Sequence, residues 1–243
     1  MEQIPTPTAL IIGGSGTIGE AICHQFAREG WHIGIHYRKR KAQAQEIRQH
    51  VEQAGGTGSL YQADIRDFQQ VHHSIRTFHA DCGRIDVLIY AVGTTANQLV
   101  LRTSPQTWRD VLDTNLTGVF FCLKAAGPIL CAQKTGAVLI VGSLSSVNGQ
   151  PGQSAYAASK AGLLGLLKTA AKEWGRENIC INALFPGWHQ SRLSEETFPN
   201  SEELQNHVLH RTPNLSKVAE MAYHIANLSD TSGQIFNLDS RIS

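Results

Sequence analysis

The chain has 243 residues, of which 42% are hydrophobic and 17% are charged, as in folded globular domains and unlike disordered chains. Its formal net charge of +1 provides no overall field that would attract nucleic acid or an anionic membrane. Five cysteines without a CxxC pair indicate buried free thiols in a reducing compartment. The sequence has no apolar run of about 18 residues, and we expect no leader segment at its start. It therefore predicts a cytoplasmic protein that does not span a membrane.

Short apolar runs alternate with longer amphipathic segments along the chain. Strands are predicted at residues 9–13, 33–37, 58–62, 85–90, 137–141, 179–184 and 234–238. Helices are predicted at residues 17–29, 40–54, 67–81, 105–131, 154–175 and 215–227, with a further short helix at 201–209. This alternation predicts an α/β fold: a Rossmann-type, doubly wound parallel sheet of about seven strands with helices on both faces. No linker or repeat divides the chain, so residues 1–243 are expected to form a single domain.

A glycine-rich turn follows the first predicted strand and opens the first helix. Its sequence is Gly13-Gly14-Ser15-Gly16-Thr17-Ile18-Gly19. Glycines let the backbone approach a pyrophosphate closely, and free N–H groups at the helix N-terminus then bind its charge. The alternative is an ordinary strand-to-helix turn, but the position at the first βα connection favours a dinucleotide site.

Basic residues follow the second predicted strand, in Tyr37-Arg38-Lys39-Arg40. A fold that binds NAD would place a carboxylate there, on the ribose 2′-hydroxyl, whereas cations suit a 2′-phosphate. The alternative is a solvated, basic start of a helix. The sequence therefore predicts NADP(H) in preference to NAD(H).

Tyr156 and Lys160 are four residues apart in a predicted helix that Ser154 is expected to cap, so both side chains face the same way. A nearby ammonium stabilises a phenolate, and we expect Lys160 to lower the pKa of Tyr156 into a useful range. Ser143 follows a predicted strand at the edge where such sheets bind ligands, and its hydroxyl could hydrogen-bond a substrate carbonyl. Each residue alone is more often structural; only the combination predicts a catalytic site.

Together with Asn115 in Thr114-Asn115-Leu116-Thr117-Gly118-Val119, these motifs resemble the short-chain dehydrogenase/reductase family over nearly the whole chain. The resemblance implies that Tyr156 protonates a carbonyl oxygen, Lys160 lowers its pKa and binds the nicotinamide ribose, Ser143 orients the substrate, and Asn115 holds a proton-relaying water. It further implies an adenine contact at Asp64 and a nicotinamide contact through the backbone of His189. The implied cofactor contacts are Gly13, Ser15, Gly16, Thr17, Ile18, Gly19, Arg38, Lys39, Asp64, Ile65, Ala91, Gly93, Tyr156, Lys160, Pro186, Gly187 and His189.

Within that family, residues 97–102 and 108–115 look most like those of the 3-oxoacyl-[acyl-carrier-protein] reductases. The resemblance implies a 3-oxoacyl thioester substrate, a role in fatty acid biosynthesis, and contact of Lys134 and Arg176 with an acidic carrier protein; plain solubility is the alternative reading of those two cations. It also implies a homo-oligomer, a tetramer or dimer. Residues 187–213 are expected to form the pocket wall, with Trp188, His189, Phe198 and His207 among its side chains.

The sequence departs from the family pattern at three places. Ile12 and Thr17 replace the usual Thr and Gly of the phosphate loop, Tyr90-Ala91-Val92-Gly93 replaces Asn-Asn-Ala-Gly, and Asp239-Ser240-Arg241-Ile242 replaces Asp-Gly-Gly. Two other functions therefore stay open: reduction of a different carbonyl, such as a sugar, steroid, pteridine or polyketide, and NADPH binding without catalysis. The eleven histidines form no HExxH or Cys/His cluster, so no metal site is expected.

Overall fold

A computed structural model describes residues 6–191, 193–195 and 198–241, apart from the side chain of Asn206. Its seven strands form one parallel sheet in the order β3-β2-β1-β4-β5-β6-β7. The strands are β1 (Thr8–Ile12), β2 (His32–Tyr37), β3 (Thr57–Gln62), β4 (Val87–Tyr90), β5 (Gly136–Val141), β6 (Ile179–Phe185) and β7 (Ile235–Asn237). The predicted doubly wound sheet is confirmed.

Helices cover both faces of the sheet. They are α1 (Thr17–Arg28), α2 (Lys41–Gln53), α3 (Phe68–Cys82), α4 (Pro105–Leu112), α5 (Gly118–Gln133), α6 (Ser154–Trp174) and α7 (Leu215–Ala226). Alternate residues of each strand point to opposite faces, so Ile11 packs with α1, α2 and α7, while Leu10 packs with α3, α5 and α6. The two apolar cores fix the sheet between two helical layers.

The strand order reverses beside β1, because β2 lies on one side of it and β4 on the other. Parallel strands end at the same edge, so the turns that follow β1, β4, β5 and β6 open into one crevice there. Those turns begin at Gly13, Ala91, Gly142 and Pro186. The topology therefore brings together four segments that the sequence separates widely.

Three helical predictions need correction. The helix expected at 105–131 is divided into α4 and α5 by a π-helical turn, Asp113–Thr117. The helix expected at 201–209 is only a 3-10 turn, Glu203–Asn206. Ser154 is the first residue of α6 and not its cap; Gln153 occupies the cap position without a side-chain capping bond. Apolar periodicity does not reveal such local changes, because the same residues face the core in either case.

The five cysteines are free, as predicted, but not all are buried. Cys23 and Cys122 are enclosed in the two cores, whereas Cys82, Cys131 and Cys180 are partly exposed. Burial raises the pKa of each of these thiols, and most strongly those of Cys23 and Cys122. The thiols are therefore poor nucleophiles.

One helical stretch, Pro105–Gln133, is long and apolar enough to span a membrane by length and mean hydropathy. Half of its most apolar window is buried within the protein. Val119, Leu123 and Leu130 of α5 pack in the same core as α3 and the sheet. This stretch is accordingly a core helix of the α/β fold.

Tyr90 braces the π turn between α4 and α5. Its ring is 1% exposed, and its hydroxyl donates a 2.6 Å hydrogen bond to the carbonyl oxygen of Thr114. A π turn shifts the helical hydrogen-bond pattern, since the N–H of Gly118 here bonds the carbonyl of Asp113. Tyr90 thus satisfies a buried carbonyl next to Asn115, at a position where the family pattern has an asparagine.

Replacing Tyr90 by phenylalanine is expected to lower the free energy of unfolding by about 1 kcal/mol, because the buried hydrogen bond to the Thr114 carbonyl is lost. Denaturant unfolding measures the loss. Tyr223→Phe is the control: the Tyr223 ring packs against Phe26 and Trp31, and its hydroxyl forms no hydrogen bond with the described residues. Equal stability of the two variants would contradict the bracing role of Tyr90.

Candidate active site

A cavity of about 110 Å³ occupies the crevice at the carboxyl ends of β4, β5 and β6. Three of the four predicted catalytic side chains, Ser143, Tyr156 and Lys160, line it. Its wall also includes Ala91, Gly93, Pro186, Gly187 and His189, which were predicted from sequence to contact a cofactor. The sheet and α6 therefore assemble groups from four separate segments into one concave site.

Ser143 follows β5 directly and begins a 3-10 turn, Leu144–Ser146. Its Oγ accepts a 3.1 Å hydrogen bond from the N–H of Ser145, and its carbonyl accepts a bond from Ser146 Oγ. These bonds hold the backbone and hydroxyl at the cavity wall. The Ser143 hydroxyl keeps its own proton available to donate to a carbonyl oxygen.

Tyr156 and Lys160 lie one turn apart on α6, as their spacing predicts. Lys160 is 3% exposed, and its Nζ donates a 2.9 Å hydrogen bond to the carbonyl oxygen of Val141 in β5. The same Nζ lies 5.8 Å from the centre of the Tyr156 ring. Burial lowers the pKa of Lys160 to about 8, so the amine is still mostly cationic at neutral pH.

The pKa of Tyr156 differs from the sequence-based expectation. Burial raises it, and the nearby Ser143 hydroxyl and the Arg241 guanidinium only partly offset that rise. The expected lowering by Lys160 is therefore not found; desolvation of the phenolate outweighs the neighbouring charges. Tyr156 is a protonated phenol at neutral pH, the form that can donate a proton to a substrate.

Asn115 is fully buried in the π turn and does not line the cavity. Its side-chain oxygen accepts a 2.8 Å bond from the N–H of Thr94, and its Nδ2 donates to the Thr94 carbonyl at 2.8 Å and to Ser159 Oγ at 3.0 Å. Ser159 lies next to Lys160 on α6. The side chain of Asn115 therefore ties the loop after β4 to the helix that carries the catalytic pair.

The phosphate loop has a conformation that requires glycine. Gly13 has φ +86°, and a Cβ on Gly19 would lie 2.2 Å from the Gly13 carbonyl oxygen. The Gly16 N–H bonds that same carbonyl at 2.9 Å, and Ser15, Thr17 and Ile18 complete the turn into α1. The departures at Ile12 and Thr17 leave the close packing of strand, loop and helix intact.

His36 supports this loop from β2, a contact that the sequence analysis missed. Its Nδ1 accepts a 3.0 Å hydrogen bond from the Gly13 N–H, and its Nε2 donates to the Ala63 carbonyl at 3.1 Å. Burial lowers the pKa of His36 to about 4, so the ring is neutral. The sequence predicted a strand here, but not that the loop supplies a partner for this side chain.

Arg38 and Lys39 are exposed just beyond β2, where a 2′-phosphate was expected. Arg38 Nη1 is 3.7 Å from Asp64 Oδ2, and Arg66 forms two hydrogen bonds with the Asp64 carboxylate, at 3.0 and 2.7 Å. Hydrogen bonding by Arg66 lowers the pKa of Asp64 to about 2. Asp64 thus holds Arg38 and Arg66 at the carboxyl end of β2. The neighbouring Ile65 is buried in the core.

The segment after β6 contributes to the wall only in part. Trp188 and His189 line the cavity, and His189 Nε2 donates a 2.9 Å hydrogen bond to the Pro186 carbonyl. His207 instead bonds Ser240 Oγ at 3.0 Å, and neither it nor Phe198 lines the cavity. Residues 192, 196 and 197 of the expected wall lie outside the described residues. Gln153, Asp239 and Arg241 line the cavity although no sequence motif singled them out as site residues.

One group of possible metal ligands occurs among the described residues, away from the cavity. Glu20 and His24 of α1 meet His50 of α2, with ligand atoms within 4.8 Å of one another. His24 Nε2 is 3.8 Å from Glu20 Oε1. The sequence could indicate only the Glu20–His24 half, through its i,i+4 spacing, because His50 comes from another helix.

Comparison with known proteins decides the family. A family model for short chain dehydrogenases matches residues 7–202. The chain belongs to the short-chain dehydrogenase family. Like other short-chain dehydrogenases it is an oxidoreductase that acts on alcohol and carbonyl groups, so the resemblance inferred from the motifs is confirmed.

Curated relatives of this short-chain dehydrogenase include 3-oxoacyl-[acyl-carrier-protein] reductases. The protein from Staphylococcus aureus is 35% identical over 208 residues, which cover 86% of this chain and 83% of the relative. The protein from Synechocystis is 32% identical over 98% of both chains. The predicted similarity to this branch of the family is therefore confirmed.

Solved structures of short-chain dehydrogenases have the same fold. A putative short-chain alcohol dehydrogenase from Sinorhizobium meliloti superposes with a TM-score of 0.91 at 27% identity, over 98% of this chain and 96% of that one. The structure named ElxO with NADP bound superposes with a TM-score of 0.87 at 25% identity, over 97% and 98% of the two chains. The family and this NADP-bound neighbour agree with the predicted cofactor, NADP(H).

Proposed function

We propose that this short-chain dehydrogenase reduces a ketone to a secondary alcohol with NADPH, and that the ketone is a 3-oxoacyl thioester. The observation that carries the proposal is the meeting of Ser143, Tyr156 and Lys160 in one cavity of a chain that is 35% identical to a 3-oxoacyl-[acyl-carrier-protein] reductase. A carbonyl oxygen placed between Ser143 and Tyr156 finds two hydroxyl donors. That arrangement suits developing negative charge on oxygen.

Tyr156 and Ser143, which line the cavity, donate the proton and the hydrogen bond that the carbonyl oxygen needs. Bound NADPH supplies a hydride to the carbonyl carbon. The Tyr156 hydroxyl donates its proton to the carbonyl oxygen, which completes the new O–H bond as the C=O double bond is lost. Ser143 donates a hydrogen bond to the same oxygen and orients it. A protonated Tyr156, which its raised pKa provides, is the correct starting state for reduction.

Lys160 and Asn115 support the proton transfer without donating the proton themselves. The ammonium of Lys160 stabilises the phenolate that Tyr156 becomes after giving up its proton. Asn115 clamps Thr94 and Ser159 and so fixes the distance between the loop after β4 and α6. We assign Asn115 a positioning role and keep, as part of the proposal, the relay water that the family resemblance implies for this residue.

The residues present fit a dinucleotide phosphate. The Gly13–Gly19 cradle has no room for a Cβ at its centre, and the N-terminus of α1 faces it. Arg38 and Lys39 would hold a 2′-phosphate at the rim, with Asp64 keeping Arg38 in place. Ile18, Ala91, Gly93 and Pro186–His189 would line the path to the nicotinamide end.

An acyl carrier protein would need an accessible basic surface beside the cavity. Lys134 ends α5 and Arg176 follows α6, and Asn178 Nδ2 donates a 3.2 Å bond to the Lys134 carbonyl, which brings the two ends close. The Arg176 side chain is 83% exposed. Because Lys134 and Arg176 directly precede β5 and β6, they lie at the edge of the sheet opposite the cavity, so their position does not support a carrier contact beside this site. We retain a cytoplasmic homo-oligomer, a tetramer or dimer, as part of the proposal.

The alternative of NADPH binding without catalysis arose from the missing Asn-Asn-Ala-Gly sequence. Tyr90 answers that concern, because it braces the π turn that carries Asn115. A protein that only binds NADPH would not require the combination of Ser143, Tyr156, Lys160 and Asn115. Reduction of an unrelated ketone stays a second candidate, since the cavity wall mixes apolar and polar side chains.

Oxidation of NADPH in the presence of a panel of carbonyls tests the proposal. Acetoacetyl-CoA is expected to be reduced at least about tenfold more efficiently than sugar, steroid or pteridine ketones, because its acyl chain presents the ketone of a 3-oxoacyl thioester. NADH is expected to be about tenfold less effective than NADPH, since it lacks the phosphate for Arg38 and Lys39. Tight NADPH binding with no turnover on any carbonyl would reject the enzyme in favour of a binding protein.

A further inference from the structure

Arg241 is a charged side chain in the cavity that the proposed mechanism does not use. It lines the same cavity as Ser143 and Tyr156, and its side chain is only 19% exposed. It lies where the family pattern has glycine, so the residue is a departure specific to this sequence. Removing an arginine from water is costly, and such a residue usually has a defined partner.

Part of that partner is Asp239, two residues earlier. Arg241 Nε donates a 2.9 Å bond to Asp239 Oδ1, and its Nη2 donates to Oδ2. The Asp239 side chain is 1% exposed. The guanidinium carbon also lies 5.3 Å from the centre of the Trp188 ring, which covers one face of the group. These contacts fix the plane and direction of the guanidinium.

Asp239 engages only one edge of the guanidinium. A guanidinium has five N–H donors, and the bidentate pair with Asp239 uses two of them. Nη1 forms no hydrogen bond with another described residue, and Arg241 borders the cavity. The remaining edge of the guanidinium is therefore available to an acceptor inside the cavity.

The backbone around Arg241 is held as firmly as its side chain. His207 and Arg241 form an antiparallel bridge, and the Val208 N–H bonds the Ser240 carbonyl at 2.9 Å. The His207 ring adds the 3.0 Å bond to Ser240 Oγ. The segment that carries Arg241 is thus held by residues 207 and 208 and presents a preorganised donor.

We propose that Arg241 binds an oxygen of the substrate other than the one that is reduced, and so selects substrates with a second carbonyl or carboxylate group close to the ketone. The inference rests on the proposed carbonyl reduction and names the substrate class of that site. In a 3-oxoacyl compound the C1 carbon is two bonds from the reacting carbon C3, and its oxygen is three bonds away, on the same short chain. Arg241 and the Ser143–Tyr156 pair then bind the two ends of a 1,3-dicarbonyl unit.

The charges of the wall agree with this class. Lys160 and Arg241 are cations, and Asp239 neutralises one of them, so the described cavity wall has one excess positive charge at neutral pH. This positive charge favours the binding of a negatively charged carboxylate and also of a carbonyl oxygen, which carries partial negative charge. A free 3-oxo acid and a 3-oxoacyl thioester share this chemistry, and the experiment separates them.

Steady-state reduction of three probes by Arg241→Met tests the proposal. The value of kcat/KM is expected to fall about 10- to 100-fold for acetoacetyl-CoA or acetoacetate, because a charged hydrogen bond is lost. It should change less than about threefold for 2-hexanone, which has no second oxygen. Loss with acetoacetate alone identifies a carboxylate as the bound group, and loss with both probes identifies a carbonyl oxygen. Equal loss on all three probes, or on none, overturns the proposal.

Two further variants guard against a folding artefact. Asp239→Asn with Arg241→Met removes both charges of the buried pair and should reproduce the selective loss without an unpaired carboxylate. Arg84→Met is the matched control: Arg84 pairs with Asp86, also two residues away, at the opposite edge of the sheet. It should leave all three probes unchanged.

Calorimetric binding separates this inference from the proposed function. The protein loaded with NADP⁺ is titrated with 3-hydroxybutyrate and with 2-hexanol. Binding of 3-hydroxybutyrate that weakens about tenfold or more in Arg241→Met supports the Arg241 contact even if no ketone is turned over. If the wild-type protein reduces ketones yet binds 3-hydroxybutyrate no better than 2-hexanol, the reductase stands and the Arg241 inference is overturned.

Discussion

Replacing Tyr156 by phenylalanine is expected to lower kcat for ketone reduction by about 10²- to 10⁴-fold, the usual contribution of a positioned general acid. The substitution removes one oxygen and keeps the ring that packs at the cavity wall. Because Lys160 is held by the Val141 carbonyl and not by the phenol, its position should survive. NADPH affinity, measured by fluorescence titration, is expected to stay within about threefold of the wild type, since the phosphate loop is untouched.

Tyr223→Phe is the matched control for this experiment. Tyr223 lies on α7 in a cluster with Phe26 and Trp31, on the other side of the sheet from α6. Its kcat should equal that of the wild type. If Tyr156→Phe retained wild-type turnover with unchanged pH dependence, the proton would have to come from another group and the proposed mechanism would be rejected.

Replacing Gly19 by alanine is expected to weaken NADPH binding by about 100-fold or more, because hydrogen bonds to a charged group contribute about 1.5 to 3 kcal/mol each and more than one would be misaligned. A Cβ at this position would lie 2.2 Å from the Gly13 carbonyl oxygen and 2.8 Å from its carbon. Either the loop or the start of α1 must move. The N–H groups that would bind the pyrophosphate then lose their alignment.

Two measurements isolate that effect. Gly175→Ala places the same methyl group in open space after α6, with no atom within 4 Å, and should leave NADPH binding unchanged. Thermal unfolding without cofactor should show that Gly19→Ala still folds, with a stability loss of about 1 to 3 kcal/mol from overpacking. Wild-type NADPH affinity in a folded Gly19→Ala protein would show that the loop does not hold the cofactor.

The fold was predictable because its signals are local. Each buried strand is a short apolar run, such as Ala137–Val141 within β5, and the first glycine turn follows β1 directly. Right-handed crossovers then leave few topologies for alternating strands and helices. The pairing of Tyr156 with Lys160 was predictable for the same reason, since it depends only on helical spacing.

The remaining features depend on contacts between distant segments. Tyr90 and Thr114 are 24 residues apart, and nothing in either segment reveals the bond that braces the π turn. Trp188 and Arg241 meet only because the tail returns to the wall after β7. The pKa of Tyr156 follows from its burial, which depends on all the elements around the cavity and not on its spacing from Lys160.

The π turn at Asp113–Thr117 lies between α4 and α5 and carries Asn115. Such a turn contains one residue more than an α-helical turn. The side chains of α4 and α5 therefore face roughly as they would in a continuous α-helix that lacked this one residue. Deleting that surplus residue should restore an unbroken α-helix against the sheet, but the buried bonds of the Asn115 amide to Thr94 and Ser159 would be lost. The irregular turn therefore joins two walls of the site, and a regular helix here would lack that connection.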